Sequence, residues 1–240
     1  MKSEKEIEEF YDEFVEPQKA MKINLRHLLL FDKLIQLGLN TKSNVLEFGC
    51  GIGTVTKLIT EIVKSGEIIS TDLSPISIEV AKERTQKNNV TFLAQNITEF
   101  TSLDIKFDFI LLFDILEHIP IELHKSVFDI LSKQAMDNTI IFINIPNPVA
   151  LEYEQKNNPE VLQIIDQPLY ADKLIANAYK AGLVLDNFIT YDIWRKSDYQ
   201  MIFFKKKYMF KPETIKTKSK LDIKLMRLKH HLKNCSENFL

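Results

Sequence analysis

The chain has 240 residues, of which 45% are hydrophobic, and a formal net charge of −2. This size and composition can bury one large hydrophobic core, and the small net charge argues against a nucleic-acid partner held by electrostatic attraction. No apolar run reaches the roughly 18 residues that a transmembrane helix needs, and the charged N-terminus is unlike a signal peptide, so we expect a cytoplasmic protein.

Residues 1–39 predict a helical flap that lies outside the sheet. Five apolar residues recur there at the spacing of an amphipathic helix, namely Ile7, Phe10, Tyr11, Phe14 and Val15. Pro17 is expected to end this helix or to bend it. A second helix is predicted from about Ile23 to Leu37, with Gly38 as its C-terminal cap.

The stretch from Asn44 to Thr56, N-V-L-E-F-G-C-G-I-G-T-V-T, organises the rest of the chain. Its apolar start predicts a buried strand, and the glycines at 49, 51 and 53 predict a tight turn in which a ligand can lie against bare backbone. Apolar residues then recur at helical spacing from Val55 to Val63, and the start of that helix offers unpaired N–H groups. We therefore expect a nucleotide-like ligand at this turn.

Glu47, two positions before the first glycine, narrows the choice of ligand. The glycine spacing is G-x-G-x-G rather than the G-x-G-x-x-G of dinucleotide-binding proteins, and a carboxylate at the strand end opposes a pyrophosphate but suits an ammonium or sulfonium group. With this E-x-G-x-G-x-G pattern the chain resembles the class I S-adenosylmethionine (SAM)-dependent methyltransferases. Over about residues 40–206 the resemblance implies a SAM cofactor and an α/β fold. That fold has a Rossmann-like, seven-stranded, mainly parallel sheet with helices on both faces.

Polar side chains follow the next two predicted strands, which span residues 67–71 and 90–94. Asp72 lies about 20 residues past the glycine turn, where a carboxylate would bind a ribose diol, and the resemblance places Asn96 at the adenine edge. The cofactor-binding residues expected in this way are Glu47, Gly49, Cys50, Gly51, Gly53, Asp72, Leu73, Asn96, Ile97, Phe113 and Asp114.

The fourth predicted strand, residues 107–113, runs into D-I-L-E-H-I-P at residues 114–120. Asp114, Glu117 and His118 would share one face of a helical turn. The carboxyl end of this strand faces the ligand crevice in a doubly wound sheet. The L-E-H-I string is similar to the same region of small-molecule methyltransferases.

Two histidines are candidates for a catalytic base, because imidazole titrates near neutral pH. His118 is the first choice and His27 the second. The alternative is that His118 only hydrogen-bonds the backbone and shapes the pocket. Asp114 and Asn144 could together hold Mg²⁺, but two such ligands without a further acid lead us to predict no metal site.

Residues 146–170, after a predicted strand at 139–144, fit neither a strand nor a standard crossover. We predict that this insertion forms a wall of the substrate pocket. A helix at 171–181 and a hairpin of strands at 183–190 and 199–204 complete the sheet. The expected substrate-binding residues are Tyr11, Gln18, Arg26, Glu117, Asn144, Asn147, Tyr153, Trp194 and Arg195.

This mixture of hydrogen-bonding and aromatic side chains favours a polar acceptor of modest size. We expect methyl transfer to a hydroxyl of a sugar-like metabolite, with a phenolic quinone precursor or an amine as the alternative acceptor. A nucleic-acid methyltransferase is disfavoured, because F-D-I-L at residues 113–116 stands where adenine-methylating enzymes carry D/N-P-P-Y/F. A SAM-binding protein without activity is the remaining hypothesis.

The C-terminal stretch, residues 207–240, predicts a basic amphipathic tail. Residues 211–240 carry eight basic and three acidic side chains, whereas residues 1–16 carry two basic and seven acidic ones. A leucine stripe runs along the predicted helix, formed by Leu221, Leu225, Leu228 and Leu232. Such a helix either lies on an anionic membrane, or binds a partner such as a second copy, or packs against its own domain.

Overall fold

The computed structural model describes residues 4–209, 212 and 218–237. The chain divides into a larger unit, Met1–Lys207, and a smaller one, Tyr208–Leu240. Within this described part of the chain, no helix is both long and apolar enough to cross a lipid bilayer.

The larger unit is built on one sheet, which has seven strands within the described residues, in the order β3-β2-β1-β4-β5-β7-β6. The strands are β1 (Val45–Phe48), β2 (Ile68–Asp72), β3 (Val90–Ala94), β4 (Phe107–Phe113), β5 (Ala135–Pro146), β6 (Leu183–Tyr191) and β7 (Tyr199–Lys206). Strands β1 to β5 pair in parallel, and β7 runs antiparallel to both β5 and β6. The predicted Rossmann-like sheet with a final hairpin is confirmed. Its strand order reverses between β1 and β4, where the ligand crevice of such a sheet opens.

Helices precede the sheet, alternate with its strands and follow it. They are α1 (Glu4–Glu13), α2 (Val15–Met21), α3 (Leu25–Gln36), α4 (Thr54–Ile62), α5 (Pro75–Arg84), α6 (His124–Gln134), α7 (Pro148–Asn157), α8 (Ala171–Lys180) and α9 (Lys220–Glu237). Helices α1 to α3 form the flap, and α9 belongs to the smaller unit. The tail helix predicted from the leucine spacing is therefore present.

Helices cover both faces of the central strands, and consecutive residues of a strand point to opposite layers. Leu46 and Phe48 of β1 belong to a core cluster that includes residues of α6 and α8. Val45 of the same strand belongs to a second cluster with residues of α3 and α4. Glu47 is buried among these apolar residues, so a carboxyl group lies deep in the protein at the start of the crevice.

The flap agrees with the predicted interruption near Pro17. Helix α1 ends at Glu13 and α2 begins at Val15, and Pro17 lies in the first turn of α2. The first N–H groups of a helix have no intrahelical partner, so a proline is tolerated there. Helix α3 begins at Leu25, where the side chain of Asn24 caps it.

One helix was not predicted, and one predicted turn was wrong. The insertion contains helix α7, which begins with Asn147 as N-cap and Pro148 in the first turn, a typical helix start. The residues after β4 do not form an α-helical turn. Asp114 has a φ of 57°, in the left-handed region, and only the short 3₁₀ turn Leu116–His118 follows.

Candidate functional site

A cavity of about 390 Å³ opens at the carboxyl ends of β1, β2 and β4. Its walls come from the flap, from the glycine loop (Gly49–Gly53), from the residues that follow β2, β3 and β4, and from the insertion, which contributes Val161 and Gln163. Parallel strands bring their carboxyl ends to one edge of the sheet, so residues that are distant in sequence meet there. We call the side at Glu47, the glycine loop and Asp72 the glycine end, and the side at Tyr11, Arg26, Asp114 and His118 the histidine end.

The glycine loop is built on backbone conformations that other residues adopt only with strain. Gly49, Gly51 and Gly53 have φ angles of 68°, 51° and 71°, all in the left-handed region. A Cβ at Gly51 would lie 2.7 Å from Oε1 of Gln18, and a Cβ at Gly49 would overlap the side chain of Ile115. At these two positions the loop presents bare backbone to the cavity.

Gly53 serves a helix rather than the cavity. It is the N-cap of α4, and a Cβ there would meet Ala81 of α5 at 3.0 Å. Gly53 is absent from the described residues that line the cavity. Its prediction as a cofactor contact is corrected, because a glycine is needed there for the turn and for the close approach of α5.

Two carboxyl groups line the glycine end, those of the buried Glu47 and of the half-buried Asp72. Asp72 accepts hydrogen bonds from the N–H groups of Gly51 at 2.7 Å and Ser74 at 2.9 Å. Glu47 accepts from two buried hydroxyl groups at 2.5 and 2.9 Å. Burial raises the pKa of Asp72, and it raises the pKa of Glu47 to about 7 in spite of these bonds. A positively charged ligand would favour the ionised form of both groups.

The remaining predicted cofactor residues lie on the cavity wall, namely Cys50, Leu73, Asn96, Ile97, Phe113 and Asp114. The side chain of Asn96 also supports its own turn, because its Oδ1 accepts the N–H of Thr98 at 2.9 Å. Bare glycine backbone beside a carboxyl at the end of β2 and a second, buried carboxyl on β1 fits a molecule with a ribose, an ammonium and a sulfonium group. The glycine end therefore fits SAM.

His118 is oriented by the insertion. Its Nδ1 lies 2.6 Å from the carbonyl oxygen of Ile165 and 3.2 Å from Oδ1 of Asp166, so this nitrogen carries a proton and donates it. Its Nε2, 4.0 Å from Oε1 of Glu117, is then the acceptor nitrogen of the neutral ring. Burial disfavours the charged ring, but Glu117 and Asp166 outweigh it and raise the pKa of His118 to about 9.

Three buried polar atoms in this region have no hydrogen-bond partner among the described residues: the Tyr11 hydroxyl, Oε2 of Glu117 and Nε of Arg26. The Tyr11 ring lies 6.2 Å from the His118 ring, centroid to centroid. Burial and then Glu117 raise the pKa of Tyr11, so its hydroxyl stays protonated. Burial also raises the pKa of Glu117 to about 8, against the effect of His118. Buried polar atoms are normally paired, so the atoms of Tyr11 and Arg26, whose residues line the cavity, suit a polar ligand.

Arg26 connects the flap to the sheet. Its Nη1 lies 3.0 Å from Oδ2 of Asp114 and donates to the Tyr199 hydroxyl at 3.2 Å. Its guanidinium lies 5.8 Å from the centre of the Trp194 ring. Burial alone would lower the pKa of Arg26, but Asp114 and Tyr199 raise it. Arg26 is therefore a charged residue whose charge is already balanced within the protein.

His27 does not fit the role of a base. Its Nδ1 accepts the N–H of Asn24 at 3.1 Å as part of the α3 cap, so the neutral ring carries its proton on Nε2. Burial, Arg26 and Arg84 lower the pKa of His27 to about 4. His27 lines the cavity as a hydrogen-bond donor, and its prediction as the second candidate base is corrected.

Of the predicted substrate residues, Tyr11, Gln18 and Arg26 line the cavity. The other predicted residues do not reach its wall, namely Glu117, Asn144, Asn147, Tyr153, Trp194 and Arg195. Two of these outlying side chains have local structural roles: Asn144 donates to Asp114 at 3.3 Å, and Asn147 caps α7. Arg195 forms an ion pair with Glu154 and lies over Tyr153, with 5.4 Å to the ring centre.

The insertion contributes residues to the candidate site that the sequence did not predict. Asp166 and Ile165 hold the His118 ring, and Val161 and Gln163 close the cavity. The segment is held in place by Gln167, whose N–H donates to the carbonyl of Glu117 at 3.0 Å. No local motif marks these residues, because their roles arise from this long-range contact.

A family model described as a methyltransferase domain matches residues 39–226. The chain belongs to this family. It is a class I SAM-dependent methyltransferase by family, and its cofactor is SAM.

Two curated relatives match parts of this methyltransferase. A malonyl-[acyl-carrier protein] O-methyltransferase of Acetivibrio thermocellus is 32% identical over 101 residues, which are 42% of this chain and 33% of that protein. A ribosomal protein L11 methyltransferase of Thermosipho africanus is 28% identical over 104 residues, 43% of this chain and 39% of that protein. The match therefore spans about a third to two-fifths of the length of these relatives.

A solved structure agrees with the fold over most of this methyltransferase. The N-methyltransferase NodS of Bradyrhizobium japonicum, in complex with S-adenosylhomocysteine, superimposes with a TM-score of 0.63. The two proteins are 18% identical, and the match covers 85% of this chain and 100% of that chain. At this identity the likeness concerns the fold.

Proposed function

We propose that the chain transfers a methyl group from SAM to a hydroxyl group of a small polar metabolite, with a sugar-like molecule as the acceptor. His118 is the base in this reaction. The observation that carries the proposal is the contact of its Nδ1 with Ile165 at 2.6 Å and Asp166 at 3.2 Å, which leaves Nε2 to accept a proton. The name of the Acetivibrio relative, an O-methyltransferase, also supports transfer to oxygen.

The chain contributes alignment and exclusion of water. SAM supplies a methyl group that is already activated by its positively charged sulfur. Holding an acceptor in line with such a group contributes up to roughly 7–11 kcal/mol to a two-substrate reaction. The flap covers both ends of the cavity, because Gln18 accepts the N–H of Ile52 in the glycine loop at 3.2 Å while Tyr11 lies beside His118.

His118 must be neutral before it can accept the proton of the acceptor hydroxyl. Glu117 and Asp166 hold its pKa at about 9, against the effect of burial. A positive charge bound in the cavity lowers this pKa, because it repels the imidazolium. The hydroxyl proton then passes to Nε2, and Asp166 stabilises the imidazolium that forms.

The size of the cavity favours a small acceptor. Its volume of about 390 Å³ is near the lower end of the roughly 300–1,000 Å³ that ligand sites occupy, and it must hold both the cofactor and the acceptor. The Tyr11 hydroxyl, on its wall, is a buried polar group without a protein partner among the described residues. A hydroxylated molecule satisfies such a group, whereas an acyl chain does not.

An amine is the second candidate acceptor, and the excess of carboxyl groups favours it. Asp114, Glu117 and Asp166 surround the two cations Arg26 and His118, which leaves more acid than base at this end. A neutral amine attacks the methyl group without a base, so the two acceptors differ in their need for His118.

A panel of acceptors tests the proposed reaction. The purified chain is incubated with methyl-labelled SAM and with sugars, phenols and amines, and label transfer is counted. Transfer to a sugar hydroxyl supports the proposal. Transfer to phenols or amines alone would show that the proposed sugar-like acceptor is wrong. No transfer to any of the three classes would contradict the proposed reaction.

Replacement of His118 tests the base. His118→Ala should lower kcat by roughly 10²-fold or more, a typical loss for a general base, while SAM affinity stays within a few-fold. His27→Gln is the matched control and should leave kcat within a few-fold, because His27 has no acceptor nitrogen to offer. A normal kcat in His118→Ala would favour the amine.

A further inference from the structure

Helix α9 presents an apolar stripe to solvent. Leu221, Leu225 and Leu228 are 66%, 49% and 56% exposed, and their spacing of four and three residues places them along one side of the helix. In the sequence, Leu232 extends this spacing by one turn. An exposed row of leucines is unfavourable in water and points to a binding surface.

Basic side chains outnumber acidic ones beside the leucine stripe. At about 100° per residue, Lys220, Lys224 and Arg227 lie on one side of the stripe, whereas Lys229 and Asp222 lie on the other. The four basic residues are exposed. Asp222 is the single acidic residue between positions 218 and 229 of the sequence. The helix therefore combines a narrow apolar row with a net positive charge beside it.

We propose that α9 lies in the surface of an anionic lipid bilayer. The leucine stripe enters the acyl region, and the flanking lysines and arginine extend outward to the phosphate and carboxylate groups of the lipids. An anionic bilayer surface offers acyl chains to the leucine stripe and negative charge beside it, which matches an apolar row bordered by three basic residues and an overall positive charge of the helix between residues 218 and 229. Among the described helices none can cross a bilayer, so the association is peripheral.

Vesicle flotation with the full chain tests this proposal. The chain is mixed with phosphatidylcholine vesicles that contain phosphatidylserine or lack it, and the fraction that floats is measured at low and at high salt. The full chain should float with the anionic vesicles at low salt and be released by high salt. Leu225→Asp should reduce the bound fraction about tenfold or more, since it places a charge in the apolar stripe.

Ile223→Asp is the matched control. Ile223 is 46% exposed and lies on the far side of the helix from Leu221, and its replacement changes the net charge by the same amount. It should retain most of the binding. Thermal unfolding with SAM checks that both variants keep the fold of the larger unit.

Three results would overturn the proposal. The first is that the full chain does not float with anionic vesicles. The second is that it floats equally well with neutral ones, and the third is that both variants lose binding to the same extent. Sedimentation of the same proteins tests whether a second copy of the chain binds the leucine stripe instead of a bilayer. If the full chain is an oligomer, Leu225→Asp converts it to a monomer and neither protein floats, then the stripe binds a second copy.

Discussion

At the glycine end of the cavity, a single stretch of chain from Glu47 to Asp72 supplies the loop and both carboxyl groups. At the histidine end, the flap supplies Tyr11 and Arg26, the turn after β4 supplies His118, and the insertion supplies Asp166. The first site is thus local in sequence, and the second is assembled from distant segments.

The two ends also differ in what makes them work. The glycine end depends on backbone conformation and on N–H groups that a carboxylate holds in place. A substitution there therefore changes the shape of the loop that would contact the cofactor. The histidine end depends on charges that set each other's pKa values, because Glu117 and Asp166 both act on His118. We therefore expect steep losses of cofactor binding at the first and graded, pH-dependent losses of turnover at the second.

The largest effect is expected for Gly51→Val. Its φ of 51° strains any side chain, and a Cβ would lie 2.7 Å from Gln18, on the face that the cavity uses. Calorimetry should detect no SAM binding. Gly182→Val is the control, since Gly182 also has a positive φ, 81°, but a Cβ there would lie 3.9 Å from its nearest neighbour, on Ser132. It should lose roughly 1–2 kcal/mol of unfolding free energy from strain and keep normal SAM affinity. Measurable SAM binding in Gly51→Val would contradict the view that the glycine end binds the cofactor through its backbone conformation.

Asp72→Ala should weaken SAM binding by roughly 1–3 kcal/mol, because a charged acceptor for the ribose is lost. The loop also loses its contacts to the N–H groups of Gly51 and Ser74, so thermal unfolding should be recorded beside the calorimetry. Glu122→Ala, at an exposed acid, is the control and should bind normally. Unchanged affinity in Asp72→Ala would mean that the ribose binds elsewhere.

Asp166→Asn should move the pH dependence of turnover. The carboxylate raises the pKa of His118, and the base must be neutral to work, so activity rises as pH passes through that pKa. Loss of the negative charge lowers the pKa, and the rise in kcat should shift to lower pH. The plateau should fall about tenfold, because the imidazolium is less well stabilised. Asp172→Asn, at an exposed acid on α8, should leave the pH profile unchanged. An unshifted profile in Asp166→Asn would show that His118 is not the titrating base.

The smallest effect is expected for Tyr11→Phe. Removal of the unpartnered hydroxyl should raise the KM of the acceptor about fivefold, the value of roughly one hydrogen bond, with SAM affinity unchanged. Tyr153→Phe, at an exposed tyrosine outside the cavity wall, should change neither constant. If Tyr11→Phe instead weakened SAM binding, Tyr11 would contact the cofactor and would belong to the glycine end.

The spacing of apolar residues predicted the sheet well, because the apolar pattern of a strand depends on which of its own side chains are buried. The bounds of β3 and β4 agree with the prediction, residues 90–94 and 107–113. Predictions failed where a local rule was overlooked, as at the start of α7. They also failed where a backbone conformation depends on its surroundings, as at Asp114 with its φ of 57°.

The sequence by itself determined the family and the cofactor and predicted the residues of the glycine end, because these depend on residues close together in the chain. Only the tertiary structure decided what surrounds the two histidines. His118 is oriented by Ile165, 47 positions away. In contrast, the acceptor nitrogen of His27 is occupied by the hydrogen bond that caps its own helix. The protonation of a side chain is set by the charges and the burial around it in three dimensions, and neither can be read from the spacing of residues along the chain.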